Sequence, residues 1–185
     1  KKWKKKLGKK LNKKNFKKVI DVCTGTGCIA VSLAKYSNME LCGVDISTTV
    51  LHIAQKNAVN NDVCVKWFQS NLFETVPDSW LNNADAIVSN PPYIATKQIQ
   101  TLMNSVKEFE PYLALDGGED GLYFYKKIVQ QSKQFLKEGA YLFFEIGCEQ
   151  AYNVCDILKQ YGFESVKIYQ DLAGLDRVIS AVNKA

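Results

Sequence analysis

A tetrapeptide of amide, rigid and aromatic residues stands where a buried strand is predicted to end. The apolar run 86–88 leads into Asn90-Pro91-Pro92-Tyr93, which holds two of the four prolines in the chain. The Asn90 side chain offers one hydrogen-bond acceptor and two donors. Each proline fixes its own φ and lacks an N–H, but its carbonyl still accepts. The stretch therefore predicts a stiff turn of carbonyl acceptors, with Tyr93 as a flat wall.

Such a turn suits a planar –NH2 group. One N–H of that group can bind the Asn90 side-chain oxygen and the other the Pro91 carbonyl, which aims the nitrogen at an electrophile. An amide nitrogen is a poor nucleophile, but positioning offsets up to roughly 7–11 kcal/mol of a barrier in ideal intramolecular cases. The two acceptors also favour the more positive nitrogen of the transition state. No strong general base is needed, since the proton can leave after transfer. The alternative is a plain β-turn between a strand and a helix.

A glycine-rich turn follows the first predicted strand. Gly25 and Gly27 let the backbone turn sharply and approach a ligand closely, and the segment then opens a helix. Asp45, 18 residues beyond Gly27, stands at the end of the second predicted strand, where a carboxylate can accept both hydroxyls of a ribose. These features predict a nucleoside cofactor. With Ala30 the loop also satisfies the dinucleotide fingerprint G-x-G-x-x-A, so by itself it does not separate NAD from S-adenosylmethionine, and a purely structural glycine turn is a further alternative.

Strand-like and helix-like runs alternate through residues 19–185. Strands are predicted at 17–23, 40–46, 63–71, 84–90 and 140–147, and helices at 28–37, 47–61, 121–139 and 149–162, the last two closed by Gly139 and Gly162. Two final strands, 163–171 and 176–183, are too close in sequence for a helical crossover and predict an antiparallel hairpin.

This alternation predicts an α/β fold: a Rossmann-like, seven-stranded, mostly parallel sheet with one reversed strand and helices on both faces. Ligands of such sheets bind beyond the carboxyl ends of the strands. We expect the fourth strand to lie beside the first, so that Asn90 faces a cofactor bound at Gly25–Gly27.

The charge is divided unevenly along the chain. Residues 1–18 carry eleven lysines and no acid, whereas residues 19–185 carry 13 basic and 19 acidic residues, a formal charge of −6. The lysine-rich segment could contact RNA, the ribosome or DNA phosphates weakly. A solvated arm, or the cut end of a longer protein, are the alternatives. We therefore divide the chain into this segment and a domain over residues 19–185.

The composition favours a cytoplasmic protein that does not enter a membrane. There is no run of 18 apolar residues, and no apolar segment follows the N-terminal lysines as in a secretory signal. The cysteines form no C-x-x-C pair, and we expect buried, reduced thiols. No metal site is expected, partly because His52 is the only histidine. The six cysteines are Cys23, Cys28, Cys42, Cys64, Cys148 and Cys155.

Over nearly all of residues 18–182 the sequence resembles class I S-adenosylmethionine methyltransferases, and within them the HemK/PrmC release-factor glutamine methyltransferases. The stretches that carry the resemblance are DVCTGTGCIA, VDIS, SNLFE, IVSNPPYI, FEPYLALDGGEDGL, FFEIGCEQ and DLAGLDRVISA. Asn-Pro-Pro-Tyr is shared with DNA adenine-N6 and some RNA methyltransferases, whereas FEPYLALDGGEDG is far narrower and points to the release-factor branch.

The resemblance implies transfer of a methyl group from S-adenosyl-L-methionine to the glutamine of the Gly-Gly-Gln loop of a peptide-chain release factor. The products of this transfer would be N5-methylglutamine and S-adenosyl-L-homocysteine. The implied catalytic residues are Asn90, Pro91, Pro92 and Tyr93. The implied cofactor-binding residues are Asp21, Cys23, Thr24, Gly25, Thr26, Gly27, Asp45, Ile46, Asn71, Leu72 and Asn90.

Within this set, residues 23–27 would wrap the methionine part, Asp45 would hold the ribose, and Asn71 and Leu72 would border the adenine. Glu110 and Glu145 also match the family pattern. Glu110 could anchor a loop and Glu145 could form a hydrogen bond on the cleft side, or each could be a plain structural acid.

Three departures from the family stand out. Cysteine stands at position 23, where many relatives have glycine, and Asn71 replaces a usual aspartate, which removes a charge beside the adenine. The family usually carries a helical N-terminal domain that helps dock the release factor, and here only the lysine-rich segment precedes the first strand. Either the chain is truncated or docking is done differently.

Three other function classes compete with the release-factor hypothesis. The first is a nucleic-acid adenine or guanine N-methyltransferase, which the lysine-rich segment favours and the acidic domain disfavours. The second is an inactive cofactor-binding scaffold, against which the intact residues 90–93 argue. An NAD oxidoreductase would leave residues 90–93 and the terminal hairpin unexplained.

Overall fold

The computed structural model describes residues 16–101 and 111–184. Within these ranges seven strands form one sheet in the order β3-β2-β1-β4-β5-β7-β6. Strands β1 to β5 pair in parallel, and β7 runs antiparallel to both β5 and β6. The predicted seven-stranded sheet with one reversed strand is therefore confirmed. The strands are β1 (Lys18–Val22), β2 (Glu40–Asp45), β3 (Lys66–Gln69), β4 (Ala84–Ser89), β5 (Leu136–Glu145), β6 (Phe163–Gln170) and β7 (Asp176–Asn183).

Helices cover both faces of the sheet, as the alternating sequence predicts. The longer ones are α1 (Cys28–Lys35), α2 (Thr48–Asn60), α3 (Tyr123–Ser132) and α4 (Ala151–Gln160). Single helical turns also occur at Thr96–Ile99 and Tyr112–Leu115, and a 3-10 turn at Asp78–Trp80. Ser47 caps α2, since its Oγ accepts the N–H of Val50 at 3.4 Å.

The side chains of β1 alternate between two core clusters, one on each face. Val19 packs with residues of α1, whereas Ile20 and Val22 pack with residues of α3 and α4. Helix α2 lies against α1, β2 and β3. This period-two pattern turns Asp21 toward the α1 face, where the carboxylate is fully buried.

The helix predicted over residues 121–139 is wrong in its second half. Helix α3 ends at Ser132, and β5 begins at Leu136. Gly139 has φ +73° but lies inside β5, where the pairing with β4 jumps from Ala84–Leu136 to Ala86–Tyr141. A glycine with positive φ serves a strand irregularity as well as a helix end, so this signal was ambiguous.

The expectation of buried cysteines holds only in part. All six thiols are free, but among them only Cys42 is buried, whereas Cys28, Cys64 and Cys148 are exposed. In the described ranges no helix is long and apolar enough to cross a bilayer. Most of the lysine-rich segment and Glu110 lie outside the described residues.

Candidate active site

The register of the central strands brings the predicted site segments to one edge of the sheet. Val22 of β1 pairs with Val44 of β2 on one side and with Ser89 of β4 on the other. Adjacent strands lie about 4.8 Å apart, so the residues that follow, Cys23, Asp45 and Asn90, are neighbours. The Ser89 hydroxyl donates to the Val22 carbonyl at 2.7 Å and locks the β1–β4 end. The expectation that the fourth strand lies beside the first is confirmed.

Asp21 organises the glycine turn from beneath. Its buried carboxylate accepts the Thr24 hydroxyl at 2.7 Å and the N–H of Ala30, in the first turn of α1, at 2.9 Å. The Thr24 N–H donates to the Val44 carbonyl at 2.9 Å. Because these bonds run from the turn to β1, β2 and α1, Asp21 and Thr24 shape the loop rather than face the open edge.

Gly25 and Gly27 need glycine for different reasons. Both have positive φ, +55° and +78°. A Cβ on Gly25 would meet nothing within 4 Å, whereas a Cβ on Gly27 would lie 2.8 Å from the Trp67 ring and 3.0 Å from Ala54 of α2. Gly27 thus allows α2 and β3 to pack against the turn, and Gly25 borders open space. The Thr26 carbonyl accepts from the Asn57 side chain of α2 at 2.9 Å.

Cys23 has a left-handed backbone conformation, with φ +55°. Burial raises the pKa of its thiol to about 12, and the neighbouring Asp45 and Asp21 carboxylates add to the rise. The thiol is therefore neutral at physiological pH. The turn therefore carries the backbone strain that is usual for a non-glycine residue in the left-handed region.

Asp45 uses each of its carboxylate oxygens. One accepts the N–H of Gly25 at 2.8 Å, and the other accepts the N–H of Ser47 at 3.0 Å. Each carboxylate oxygen has a second lone pair, so the pair can also accept ribose hydroxyls. Ile46, the next residue, exposes 58% of its surface. With the open space at Gly25, this acceptor set fits a nucleoside cofactor.

Asn71 and Leu72 differ in what they present. The exposed Asn71 donates its side-chain NH2 to Glu74 at 2.8 Å, so its side-chain oxygen is the group that could accept from an adenine amino group. Leu72 has φ +54° and buries its side chain in the core, so only its backbone can border an adenine. The Ser70 N–H donates to the Asp45 carbonyl at 2.9 Å and keeps this segment beside Asp45.

The tetrapeptide combines the exposed side-chain amide of Asn90 with the buried residue Pro91. Asn90 is exposed, Pro91 is buried, and Pro92 and Tyr93 are half-buried. Among the residues that the structure describes, none donates a hydrogen bond to the Asn90 side chain or to the Pro91 carbonyl. Two acceptors at the carboxyl edge of β4 thus receive no hydrogen bond from the described residues.

The Tyr93 phenol interacts with charged groups of β5 and β7. Burial and the Glu145 carboxylate raise the pKa of its phenol, and the Arg177 guanidinium opposes that rise. Arg177 pairs with Asp171 at 3.3 Å and donates to the Ile146 carbonyl at 3.1 Å. Glu145 is therefore near enough to Tyr93 to act on its phenol electrostatically, and the cleft-side hydrogen bond expected of Glu145 stays a prediction.

Sequence reasoning missed how the tetrapeptide is supported. Residues 116–121, which we call the glycine loop, pack along it. Ile94 donates its N–H to the Leu115 carbonyl at 3.0 Å and accepts the Gly117 N–H at 2.8 Å. The Gln150 side chain bonds to the Tyr93 carbonyl at 2.9 Å. The stretch LDGGEDG was noticed only through the resemblance, and its clustered glycines were the signal of a close backbone approach.

No group of three or more histidine, cysteine, aspartate or glutamate residues within 16–101 and 111–184 is arranged to hold a metal ion. The groups at the carboxyl edge are hydrogen-bonding groups, carboxylates and an amide. What the edge offers chemically is therefore binding and orientation of a nucleoside and of an –NH2 group.

Comparison with known sequences decides the family. The family model described as "Methyltransferase small domain" matches residues 5–119. The chain belongs to the methyltransferase small domain family. This match covers the glycine turn, Asp45 and the tetrapeptide, which are the parts of the site that the strand register brings together.

Curated relatives of the chain include two clostridial proteins. A "Release factor glutamine methyltransferase" of Clostridium acetobutylicum is 43% identical over 171 residues, covering 91% of this chain and 60% of that protein. One of the same name from Clostridium botulinum is 41% identical over 175 residues, covering 92% and 61%. The chain thus spans about three fifths of the length of the curated relatives that it matches.

Solved structures support the fold. A methyltransferase from Pyrococcus furiosus superposes with a TM-score of 0.67 at 14% identity, covering 90% of this chain and 75% of that one. At this identity the likeness concerns the fold alone. It agrees with the seven-stranded sheet expected of a Rossmann-like class I methyltransferase.

Proposed function

We propose that this methyltransferase domain transfers a methyl group from S-adenosyl-L-methionine to the side-chain amide nitrogen of the glutamine in the Gly-Gly-Gln loop of a peptide-chain release factor. The observation that carries the proposal is the Val22–Ser89 pairing, which sets the free acceptors of Asn90 and Pro91 beside the glycine turn. The names of the clostridial relatives support the choice of substrate. This function belongs to the cytoplasm, where translation occurs.

The residues of the glycine turn and its neighbours would hold the cofactor. Asp45 would accept the ribose hydroxyls while its bonds to Gly25 and Ser47 keep the carboxylate in place. The backbone of residues 23–27 would border the methionine part, and Asn71 Oδ1 with the backbone of Leu72 would border the adenine. When bound, S-adenosylmethionine supplies an electrophilic methyl group and leaves as S-adenosyl-L-homocysteine.

The tetrapeptide would orient the substrate amide. One N–H of the glutamine amide would donate to Asn90 Oδ1 and the other to the Pro91 carbonyl. These two bonds would fix the plane of the amide and leave the nitrogen lone pair, which is perpendicular to that plane, free to accept the methyl group. These acceptors stabilise the positive charge that develops on the nitrogen. Tyr93 forms a wall beside the amide. The proton passes to water after the transfer, so no side chain has to act as a base.

A labelled-methyl assay with two acceptors tests the proposal. Purified release factor and an adenine-containing DNA duplex are each incubated with the chain and labelled S-adenosylmethionine, and mass spectrometry locates the label. We expect label on the glutamine of Gly-Gly-Gln and a loss of about 10²–10³-fold in rate for Asn90→Ala.

Asn153→Ala is the matched control, because Asn153 is exposed on α4 and the same amide is removed away from the site. We expect wild-type rates for it. Label on DNA alone would favour the nucleic-acid N-methyltransferase, which the lysine-rich segment also suggests. Label on neither acceptor would contradict the proposal for this chain.

A further inference from the structure

Gln150 precedes α4, and its side-chain amide bonds to three backbone groups. Its Nε2 donates to the Tyr93 carbonyl at 2.9 Å and to the Gly121 carbonyl at 3.1 Å, while its Oε1 accepts the Gly147 N–H at 3.1 Å. Both donor hydrogens and the acceptor oxygen are therefore used. The partners also fix the orientation of the amide, since carbonyls only accept and the Gly147 N–H only donates.

These three partners belong to three segments that meet at the candidate active site. Tyr93 ends the tetrapeptide, Gly121 ends the glycine loop, and Gly147 follows β5. One half-buried side chain thus connects the turn that would bind substrate to two segments beside it. None of these contacts is needed to form α4 itself, because the first helical bond, from the Val154 N–H, goes to the Gln150 backbone carbonyl.

The approach of the segments is close enough to require glycine. A Cβ on Gly121 would lie 2.5 Å from the Tyr93 carbonyl oxygen and 2.8 Å from Gln150 Nε2. A Cβ on Gly117 would lie 2.8 Å from the Tyr93 Cα. The glycine loop therefore leaves the space through which the Gln150 amide reaches the tetrapeptide.

We propose that Gln150 is a positioning residue for the tetrapeptide. By occupying the Tyr93 carbonyl and fixing the end of the turn, it leaves the Asn90 side chain and the Pro91 carbonyl as the two acceptors for the substrate amide. The identity of that substrate rests on the proposed function. Because an amide nitrogen reacts only when well aligned, a displacement of about 1 Å in these acceptors costs on the order of 10² in rate.

Two substitutions separate the hydrogen bonds of Gln150 from its volume. Gln150→Met keeps the length of the side chain and removes all three bonds. Gln150→Glu, when ionised, has only acceptors and faces two carbonyls, but its protonated form regains one donor. Gln160→Glu is the control, because Gln160 is exposed at the other end of α4.

The first measurement needs neither substrate nor cofactor. Amide hydrogen exchange is followed at Ile94, Gly117 and Thr96, whose N–H groups bond to the Leu115, Ile94 and Gly118 carbonyls, respectively. We expect exchange at these sites to rise at least about tenfold in Gln150→Met and to stay at the wild-type rate in Gln160→Glu. Unchanged exchange in Gln150→Met would overturn the proposal.

The second measurement uses the methylation assay with the release factor. We expect kcat to fall by about 10²-fold in Gln150→Met while the Kd for S-adenosylmethionine stays within about twofold of wild type. The ratio of Gln150→Glu to wild-type kcat should rise as the pH is lowered from about 8 to 6, because protonation restores a donor. A merely structural residue would lower kcat and cofactor affinity together, with a flat ratio, and that result would overturn the proposal.

The two proposals fail in different ways. If the wild-type chain methylates no release factor, the proposed substrate is wrong, and the hydrogen-exchange result alone decides the role of Gln150. If the wild-type chain is active and Gln150→Met has wild-type kcat, the positioning role is wrong and the proposed function stands.

Discussion

At the scale of single residues, the hydrogen bonds that Asp45 accepts require a carboxylate rather than an amide. It accepts N–H groups from both sides, from Gly25 and from Ser47, so an NH2 group in place of either oxygen would face a donor. We expect Asp45→Asn to weaken S-adenosyl-L-homocysteine binding about 10–100-fold, since hydrogen bonds to charged groups contribute about 1.5–3 kcal/mol. Isothermal titration calorimetry measures the Kd.

Asp62→Asn is the matched control for this experiment. Asp62 is exposed after α2 with φ +54°, a conformation that asparagine adopts readily. Its substitution removes the same charge and should leave the Kd unchanged. Equal affinities for wild type and Asp45→Asn would show that the ribose is not held at Asp45.

Cys23 should be the least reactive of the partly accessible thiols. Its pKa of about 12 means that at pH 8 only about one thiol in 10⁴ is ionised, and the thiolate is the reactive form. We expect iodoacetamide at pH 8 to label Cys28, Cys64 and Cys148, which are exposed, well before Cys23. Raising the pH toward 12 should bring the labelling rate of Cys23 closer to the labelling rates of the exposed cysteines. Mass spectrometry of samples taken at successive times gives the order in which the cysteines are labelled. Labelling of Cys23 as early as the exposed cysteines would contradict this prediction.

The same neutral thiol matters for the proposed chemistry. A thiolate at position 23 would be a stronger nucleophile than a substrate amide. Because burial keeps the thiol protonated, the cysteine can replace glycine in this turn without competing for the methyl group. We expect no methylated Cys23 after prolonged incubation with S-adenosylmethionine.

At the scale of elements, Gly27 is where α2 and β3 pack against the glycine turn. Gly27→Ala combines the cost of a left-handed non-glycine residue, about 1–2 kcal/mol, with overpacking against Trp67 and Ala54, about 1–3 kcal/mol. We therefore expect the free energy of unfolding in urea to fall by about 2–5 kcal/mol.

Gly174→Ala isolates the first of these costs. Gly174 has φ +80° in the β6–β7 turn, and a Cβ there would meet nothing within 4 Å. Its substitution should cost only about 1–2 kcal/mol. Equal losses for the two variants would mean that the contact of Gly27 with Trp67 and Ala54 carries no packing energy.

Helices and strands could be predicted from sequence where the signal is local, as it is for hydrophobic periodicity and for the length of a connection. The five residues between β6 and β7 are too few for a helical crossover. Ser47 is a residue type that favours the N-cap position, and an amphipathic run follows it. The end of α3 was missed because Gly139 supports a strand irregularity stabilised by tertiary pairing with β4. The support of Tyr93 by Gln150 could not be predicted, because a side chain bonded to distant backbone groups has no periodic signature.

At the scale of the whole molecule, the charge is uneven: residues 1–18 carry eleven lysines and no acid, whereas residues 19–185 have a formal charge of −6. Residues 1–14 hold nine lysines. We expect the chain to bind a short single-stranded RNA at low salt, with an affinity that falls steeply as salt rises, because each neutralised phosphate releases a counterion. Fluorescence anisotropy at several salt concentrations measures the slope.

Replacing these nine lysines by glutamine should abolish the RNA binding and leave release-factor methylation at its wild-type rate. If the variant lost both RNA binding and methylation, the lysine-rich segment would instead contribute to binding the release factor. Unchanged RNA affinity would place the contact within residues 15–185.

The position of β7 between β5 and β6 has a consequence for synthesis on the ribosome. β7 follows every other strand in the sequence, yet it fills the space between β5 and β6 and brings Arg177 near Tyr93. Until residues 176–183 emerge, β5 is an open sheet edge able to pair with another chain. Because Arg177 belongs to β7, this neighbour of Tyr93 is absent from a nascent chain until residues 176–183 have been synthesised.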